Sequence, residues 1–499
     1  MLVSLRNILK SEKIIIIIFA YLSAAIIGYL FSQSLMNNIR WTVYLFFGPL
    51  FIFLYVMIKK TLQKFLIILI SIFFIDGILF TKVALGDYVS LTLSFILGLF
   101  ALISFSEVEE NTNSNTNTNS NSNKLIIWSL MLFFIASIIA VINGIIRDSH
   151  YASANVKDFI SYYIGFLIFF FGSYKAFNKK EEVLTLMEVI LIFSLLISAG
   201  HLFSMLTGIQ LQSIRSDMAD DRDLMGANWR YGGFLGNPNN LAAFYVISIP
   251  AAILAFLYSK KIRNKIISVF AIVSMSVSLF LLGSRGGLLF LALNLFISLF
   301  FWKFTLKKTI ALATLLLIGA AITDQALDNY FSAQFEKTIK RFEKTGTQDI
   351  REKIWLETID IIISNPMGLG ISTYHFTDEL KKRSGMTWSN PHNIYFEFAA
   401  QGGILMSVFF LMFAISSFIF LAKSFYKSED TNDKLIFGMI AIILSGFILF
   451  GITEPIFKNG HKLNYFLAIV IGAGLNAGLK FNYYDKYQIS NRGNYVAII

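Results

Sequence analysis

Three residues that could do chemistry interrupt a very apolar chain: Arg285, Arg351 and His392. A guanidinium keeps its charge at physiological pH and binds phosphate through two parallel hydrogen bonds. An imidazole can accept a proton from a hydroxyl nucleophile near neutral pH. An arginine could therefore hold a diphosphate and the histidine could activate a hydroxyl group, and each of the three residues also has a purely structural alternative.

The two arginines differ in their surroundings. Arg285 lies in the segment 283–287, GSRGG, between two apolar runs that leave almost no room for a loop. It either snorkels at the membrane boundary or forms an anion site with backbone amides. Arg351 precedes Trp355 by four residues, on a short helix that is predicted to end at an Asn-Pro pair. Instead of binding phosphate, it could form a surface ion pair with Asp349, Glu352 or Glu357.

His392 follows Pro391 and leads directly into an apolar run, so the sequence predicts a helix start there. On such a helix His392, Tyr395 and Phe396 share one face. At about 100° per residue, Glu397 lies roughly 140° from His392. His392 and Glu397 therefore need not act together, and His392 is either a structural residue or a base.

A polar segment before the eighth apolar run offers a second kind of contact. It contains Arg215, Arg222 and Arg230, followed by Asn237 and Asn239. Turn formation explains its Gly, Asn and Pro residues. The amides, together with the acidic residues of this segment, could also bind sugar hydroxyls, which makes carbohydrate contact the functional alternative.

The composition places these residues in a membrane protein. Of 499 residues, 56% are hydrophobic and 15% are charged, which is too apolar for a soluble chain of this length. The absence of cysteine excludes a disulfide scaffold and a thiolate metal site. The net charge of +11 does not by itself indicate nucleic acid, because basic residues also orient membrane helices.

Hydropathy divides the chain into about fourteen apolar runs, each near the length that a membrane-crossing helix needs. The expected runs are 14–31, 41–58, 65–80, 88–105, 125–145, 159–174, 186–206, 240–257, 266–282, 287–301, 310–323, 394–421, 435–452 and 465–479. With the amino terminus in the cytoplasm, inner segments hold 23 Lys and Arg residues, against 7 in the short outer connections. Both termini are therefore expected to face the cytoplasm.

The resulting organisation is an all-α polytopic membrane protein with two long outer connections. Transmembrane helices 1–7 occupy 1–206, helices 8–11 occupy 240–323, helices 12–14 occupy 394–480, and 481–499 form a cytoplasmic tail. Extracytoplasmic connections cover 207–239 and 324–393, and the second is predicted to be catalytic and to contain short helices.

Two further segments have a distinctive pattern. In the inner connection 106–124, residues 111–123 alternate Asn with Ser or Thr, which predicts a disordered linker rather than a packed element. In the long outer connection, apolar residues recur at helical spacing over 327–342 beside basic residues. That stripe predicts an amphipathic helix that contacts either lipid or the neighbouring helices.

Five short motifs follow one another along the chain, and all of them lie on the predicted outer face. They are Gly236-Asn237-Pro238-Asn239, Ser284-Arg285-Gly286-Gly287, Arg351 with Trp355, Asn365-Pro366 with Gly368-Leu369-Gly370, and Pro391-His392-Asn393 with Tyr395. In this the chain resembles the O-antigen ligase and O-antigen (polysaccharide) polymerase family, over about Arg230 to Leu405. The resemblance implies a GT-C-like membrane glycosyltransferase; family ligases typically have twelve spans, so 12 to 14 are expected.

The resemblance also implies the reaction and the roles. An undecaprenyl-diphosphate-linked glycan would be transferred to an acceptor hydroxyl, with inversion, on the outer face of the bacterial cytoplasmic (inner) membrane. Arg285 and Arg351 would bind the diphosphate and His392 would activate or orient the acceptor. Tyr395 and Glu397, which also match the pattern after the histidine, would bind and position the substrate. No cofactor, metal or nucleic acid is expected; the expected partners are the donor, a glycan or lipid A core acceptor, membrane lipids and a chain-length regulator.

Three functions remain open at this point. A polymerase, which extends one lipid-linked repeat with another, is favoured because the chain is long and has two sizeable outer connections. A ligase would instead transfer the glycan to lipid A core. A lipid-linked glycan transporter or flippase would need charged residues within the helices, and the apolar runs offer few, chiefly Asp76, Glu188 and Glu397.

Overall fold

The computed structural model describes residues 61–70, 72–73, 83–85, 89–91, 98, 121–177, 179–207, 232–301, 336, 350–458 and 462–478. Within these residues the chain is helical except for two three-residue strands that pair antiparallel, Val83 with Leu91 and Leu85 with Val89. The predicted fold class is therefore confirmed in its main feature.

The elements follow one another along the chain as a series of apolar helices joined by short connections. They are α1 Thr61–Ile70, β1 Val83–Leu85, β2 Val89–Leu91, α2 Asn121–Arg147, α3 Ala152–Asp158, a π-helix Phe159–Ile164, α4 Gly165–Ala176, α5 Lys180–Thr207, α6 Pro238–Tyr258, α7 Ile262–Leu282, α8 Arg285–Ser298, α9 Ile350–Ser364, α10 Thr373–Ser384, α11 Ile394–Gly402, α12 Ile404–Lys427, α13 Thr431–Phe450 and α14, residues 462–478. Short 3-10 turns cover Ser149–Tyr151, Gly233–Leu235 and Leu299–Phe301.

Seven helices of the described part are long and apolar enough to cross a membrane. They are Lys124–Arg147, Ser149–Ala176, Lys180–Met205, Pro238–Tyr258, Ile262–Leu282, Ile404–Lys427 and Thr431–Phe450. The protein is therefore a multi-pass membrane protein. The expected spans 14–31, 41–58 and 310–323, and nearly all of the amphipathic stripe 327–342, lie outside the described residues.

The predicted twelfth span, 394–421, is divided into two helices. Gly403 has φ +86°, a left-handed conformation that favours glycine, and it separates α11 from α12. The backbone groups released by this break bond to the segment that follows α9: Leu369 N–H donates to Ala400 O and Ile404 N–H donates to Pro366 O. Only α12 remains long enough to span.

Two smaller differences concern the first half of the chain. Strand β2 occupies the start of the expected span 88–105. Helix α2 begins at Asn121, so the last three residues of the Asn-rich segment are helical rather than disordered. An asparagine has only a modest helix penalty, and the apolar run behind it can extend the helix into the linker.

The core lies between α6 and α13, the most deeply buried of the candidate spans. The fully buried Asn294 of α8 joins α6 and α13 by hydrogen bonds. Its side-chain amide donates to Val246 O of α6 and to Ile442 O of α13, and it accepts from Ser445 Oγ of α13. A buried amide with satisfied hydrogen bonds fixes the relative position of helices in apolar surroundings.

The ends of the helices that were predicted to face the cytoplasm carry ion pairs. Glu188 of α5 accepts hydrogen bonds from Lys261 Nζ at 2.7 Å, from Arg263 and from Asn264 Nδ2 at 2.9 Å. Lys180 pairs with Asp430 and with Asp433. Glu188, considered above as a group in a transport pathway, is thus engaged between α5 and α7.

Helix α14 and helix α4 approach so closely that a methyl group does not fit at Gly472. A Cβ there would lie 2.2 Å from Ser173 Oγ and 2.4 Å from the backbone oxygen of Phe170. We expect Gly472→Ala to destabilise the protein by about 2 kcal/mol or more. The measurement is the melting temperature of the detergent-solubilised protein.

Gly172 on α4 provides the matched control, since the nearest atom to its Cβ would be Phe65 Cζ at 3.9 Å. We expect Gly172→Ala to leave the melting temperature unchanged or to raise it, because alanine favours a helix by about 1 kcal/mol over glycine. Equal effects of the two substitutions would contradict this packing of α14.

Candidate active site

A single carboxylate, Glu454, brings the predicted site residues together. Its Oε1 accepts hydrogen bonds from Arg351 Nη2 at 2.7 Å and from Asn239 Nδ2 at 2.8 Å, and its Oε2 lies 3.5 Å from His392 Nδ1. The Glu454 side chain is 9% exposed. Arg351 therefore pairs with a residue far away in sequence, which the charges near it in the sequence do not indicate.

His392 lies outside any helix, and its backbone is strained. Its φ is +51°, the only positive value among the described residues that are not glycine. A left-handed conformation costs a non-glycine residue about 1 kcal/mol and is often found at functional sites. Its N–H donates to Asn390 Oδ1 at 3.1 Å, and the preceding Pro391 O accepts from Trp355 Nε1 at 2.8 Å.

The helix start predicted at Pro391 is displaced by three residues. Asn393 caps α11 by accepting from the N–H groups of Tyr395 and Phe396, so the helix begins at Ile394. His392 consequently does not share a helix face with Tyr395. The sequence offers two start signals, a proline and an Asn, and the side-chain cap of the asparagine is the one used.

The start of α11 is attached to the end of α13. The Ile394 N–H donates to Gly451 O at 2.8 Å, and Tyr395 Oη donates to Ile448 O at 2.6 Å. Tyr395 thus holds the start of α11 on the end of α13, and its role towards substrate stays a prediction. These bonds place His392 beside the segment 451–458, which carries Glu454.

Arg285 is the first residue of α8, next to the same segment. Gly283 ends α7 with φ +58°, and Ser284 caps α8 by accepting from Gly287 N–H at 3.2 Å. A Cβ on Gly286 would have Thr453 Oγ1 as its nearest neighbour, at 3.5 Å. The first turn of α8 therefore faces the residue that precedes Glu454.

The amide residues predicted to contact sugar serve the same centre. Asn237 caps α6, with its Oδ1 accepting from Asn239 N–H at 2.8 Å, and Pro238 is the first helical residue. The Asn239 side chain binds Glu454, as described above. Arg215, Arg222 and Arg230 lie outside the described residues.

A buried lysine holds the segment that carries Glu454. Lys458 is 1% exposed, and its ammonium donates to Ile371 O and to Gln401 Oε1, the latter at 2.9 Å. Asp158 Oδ2 lies 3.3 Å from the same nitrogen. A buried ammonium needs such partners because removal from water is costly, so Lys458 fixes this segment against α3, α11 and the connection after α9.

Glu397 belongs to this buried network and not to the Glu454 cluster. It is fully buried, and Gln401 Nε2 donates to its Oε1 at 3.4 Å, while its Oε2 has no hydrogen-bond partner among the described residues. Burial raises the pKa of Glu397 to about 7; nearby Lys458 opposes that increase. No contact with His392 is observed in the described part, in agreement with the angular separation expected from the sequence.

Three residues of the site were not predicted from the sequence: Glu454, Lys458 and Trp388, whose ring contacts the His392 ring edge to face at 5.3 Å. The available signal for Glu454 was a carboxylate followed by Pro455 at the outer end of an apolar run. Its partners are 62 to 215 residues away in sequence (454 − 392 and 454 − 239), so local patterns do not reveal them.

One stretch of the chain is similar to a family of known proteins. Residues 270–411 match the model of a family described as O-antigen ligase. The matched stretch runs from α7 into α12 and includes Arg285, Arg351 and His392, and it confirms the family resemblance carried by the motifs. A search of curated proteins found no match to the chain.

The high pKa of Glu397 has a consequence for stability. Below about pH 4.5 the carboxyl binds a proton in both the folded and the unfolded chain; near pH 7 and above, the folded chain must carry a buried charge. The free energy of unfolding is therefore expected to fall as pH rises from about 4.5 through 7, by up to about 3 kcal/mol.

Glu397→Gln isolates that contribution. We expect its melting temperature, relative to the unsubstituted protein, to increase steadily between pH 4.5 and pH 8 in detergent solution. A difference that stays constant with pH would show that Glu397 does not titrate in this interval.

Replacing the buried ammonium of Lys458 should destabilise the protein. Lys458→Met leaves the Asp158 carboxylate and two carbonyl groups without their donor, and we expect a loss of about 3 kcal/mol. Melting temperature is again the measurement, with Lys382→Met on the exposed side of α10 as the control. If Lys458→Met and Lys382→Met have the same melting temperature, Lys458 does not hold the segment in the way described.

Proposed function

Because residues 270–411 match the O-antigen ligase family, we propose that this protein is a membrane glycosyltransferase that transfers a glycan from an undecaprenyl-diphosphate donor. The acceptor is a sugar hydroxyl, and the reaction takes place on the extracytoplasmic face of the bacterial inner membrane. The observation that carries the proposal is the convergence of Arg351 and His392 on Glu454.

Arg351 and Arg285 are the proposed diphosphate ligands. A guanidinium has five N–H donors and can bind a carboxylate and a phosphate at the same time. Arg351 is fixed by Glu454, and Arg285 begins α8, whose positive helix end favours an anion. Charge that accumulates on the departing diphosphate is what such preorganised donors stabilise in the transition state.

His392 is the proposed base. With Nδ1 facing the Glu454 carboxylate, the tautomer that carries its proton on Nδ1 leaves Nε2 to accept a proton from the acceptor hydroxyl. Glu454 then stabilises the imidazolium that forms, as the carboxylate of a catalytic triad does. The separation of 3.5 Å is long for a hydrogen bond, and such contacts commonly shorten when substrate binds.

The proposed transfer is a single displacement at the anomeric carbon. The acceptor oxygen forms a bond to the anomeric carbon, and its proton passes to His392 Nε2. The bond between that carbon and the phosphate oxygen breaks, and its electron pair leaves with the lipid diphosphate. Attack from the face opposite the diphosphate inverts the anomeric configuration, and the step uses no metal or nucleotide cofactor.

The acceptor decides between two activities. We propose a polymerase, in which the acceptor is the terminal sugar of another lipid-linked repeat unit. The second candidate is an O-antigen ligase that uses lipid A core, and the match to the O-antigen ligase family favours it. In either case Arg215, Arg222, Arg230, Asn237 and Asn239 are proposed to line the glycan path, and a chain-length regulator is a proposed partner of the polymerase.

Reconstitution in liposomes tests the proposal. The purified protein is supplied with a lipid-diphosphate-linked repeat unit, with and without lipid A core, and the products are separated by size. A ladder of lipid-linked chains identifies a polymerase, whereas transfer that requires lipid A core identifies a ligase. NMR of the new glycosidic linkage shows whether the anomeric configuration is inverted. The transfer rate in EDTA shows whether the reaction needs a metal.

Substitutions in the cluster should reduce the transfer rate in a defined order. We expect His392→Ala and Arg351→Ala each to lower the rate by about 100-fold or more, since each removes a group that acts in the transition state. Glu454→Gln keeps the shape of the side chain but removes its charge, so we expect a smaller loss and a changed pH profile.

The controls are His150→Ala and Arg383→Ala, which replace the same residue types on the exposed surface of the described part. Both should retain full activity. If His392→Ala and Arg351→Ala fold normally and transfer glycan at the same rate as these controls, the proposed catalytic roles are wrong. Movement of the donor across the bilayer without any transfer would instead identify a transporter.

A further inference from the structure

Trp388 is the exposed aromatic residue of the cluster, and the contacts described so far do not explain it. It is 38% exposed, and its ring meets the His392 ring at 5.3 Å between centroids with an interplanar angle of 68°. Trp355, in contrast, is engaged in the fold: its N–H donates to Pro391 O and its ring packs on Phe396.

The segment around Trp388 is polar and stands outside the helices. Helix α10 ends at Gly385, which has φ +73°, and Thr387 and Ser389 on either side of Trp388 are also exposed. The indole is therefore partly open to solvent while it contacts His392. In a membrane protein an exposed tryptophan can also be an interfacial anchor, and the experiment below distinguishes that role.

The position of Trp388 relative to His392 indicates what it could bind. Arg351 reaches His392 through Glu454, on the Nδ1 side, so the donor diphosphate belongs to that side. The acceptor hydroxyl must come within hydrogen-bond distance of the histidine. Trp388 is exposed and in ring contact with His392, so a sugar that presents its hydroxyl to the histidine can lie against the indole.

The chemistry of an indole face suits such a sugar. An aromatic ring carries negative charge on its face, and the C–H bonds of a pyranose, which point away from its hydroxyls, carry partial positive charge. Stacking therefore orients the sugar while leaving its hydroxyls at the ring edge, where a base can reach one of them. An indole also supplies this surface with only two rotatable side-chain bonds to immobilise.

We propose that Trp388 is the platform on which the acceptor sugar stacks, so that its hydroxyl is presented to His392. The inference rests on the proposed glycosyl transfer and assigns the acceptor subsite within it. Trp388 is thus a binding residue that sets acceptor affinity and contributes little to the capture of the diphosphate.

The first test measures glycan binding without donor, so that it does not depend on turnover. The probes are the soluble repeat-unit oligosaccharide of the host polysaccharide and the soluble core oligosaccharide, each titrated against detergent-solubilised protein. For the probe that binds, we expect Trp388→Ala to weaken binding at least 10-fold, Trp388→Leu to behave similarly, and Trp388→Phe to stay within about threefold of the native protein.

The second test measures transfer with each substrate varied in turn. We expect Trp388→Ala to raise the acceptor KM at least 10-fold and to leave the donor KM unchanged. The matched control is Trp128→Ala, since Trp128 is 58% exposed on α2 and distant in sequence from the site. His392→Ala should instead lower kcat at every acceptor concentration.

Several results would overturn the proposal. They are an unchanged acceptor affinity in Trp388→Ala, full activity in Trp388→Leu, a rise in both KM values together with a lower melting temperature, and no binding of either oligosaccharide to the native protein. Loss of transfer in His392→Ala with normal acceptor KM in Trp388→Ala would refute the acceptor subsite alone. Normal transfer in His392→Ala and Arg351→Ala would refute the proposed function.

Discussion

The arrangement of the site depends on one buried ion, the ammonium of Lys458. It lies among apolar helices and finds its partners on three separate elements: a carboxylate at the end of α3, an amide on α11 and a backbone oxygen in the connection after α9. Because a buried charge is tolerated only with such partners, the segment 451–458 has little freedom. Glu454, four residues earlier, is consequently held where it can meet groups from α6, α9 and the start of α11.

Glu454 in turn links the two halves of the proposed reaction. One carboxylate oxygen binds Arg351 and the other faces His392, so the group that holds a leaving anion and the group that takes a proton share a counterion. The carboxylate provides Arg351 with a charged partner that is itself largely buried. In the proposed reaction, a proton on His392 Nδ1 faces this carboxylate and leaves the opposite nitrogen for chemistry.

The sequence predicted the parts of this structure that depend on local composition. Long apolar runs identified the spanning helices, because no other segment can satisfy its backbone inside a membrane. The Asn237-Pro238 start of α6 and the Gly283-Ser284 junction of α7 with α8 also agree with the motifs, since caps and turns are set by neighbouring residues.

What the sequence did not predict depends on contacts between distant segments. The partner of Arg351 is 103 residues away, and local charges offered nearer alternatives. The start of α11 was misplaced because Pro391 and Asn393 are both start signals, and only the tertiary bond from Ile394 to Gly451 decides between them. The division of α11 from α12 was missed because hydropathy is continuous across Gly403, whereas backbone conformation is not.

That division has a consequence for the connection between α9 and α10. Its residues 366–371 exchange backbone hydrogen bonds with the broken helix, accept a bond from Asn143 Nδ2 at Gly368 O, and provide the carbonyl of Ile371 to Lys458. This stretch is therefore part of the packed structure, and its length is set by its hydrogen bonds to the two helices α11 and α12. An insertion or deletion among these six residues would remove hydrogen bonds to α2, α11, α12 or Lys458, so we expect length variation to fall outside them.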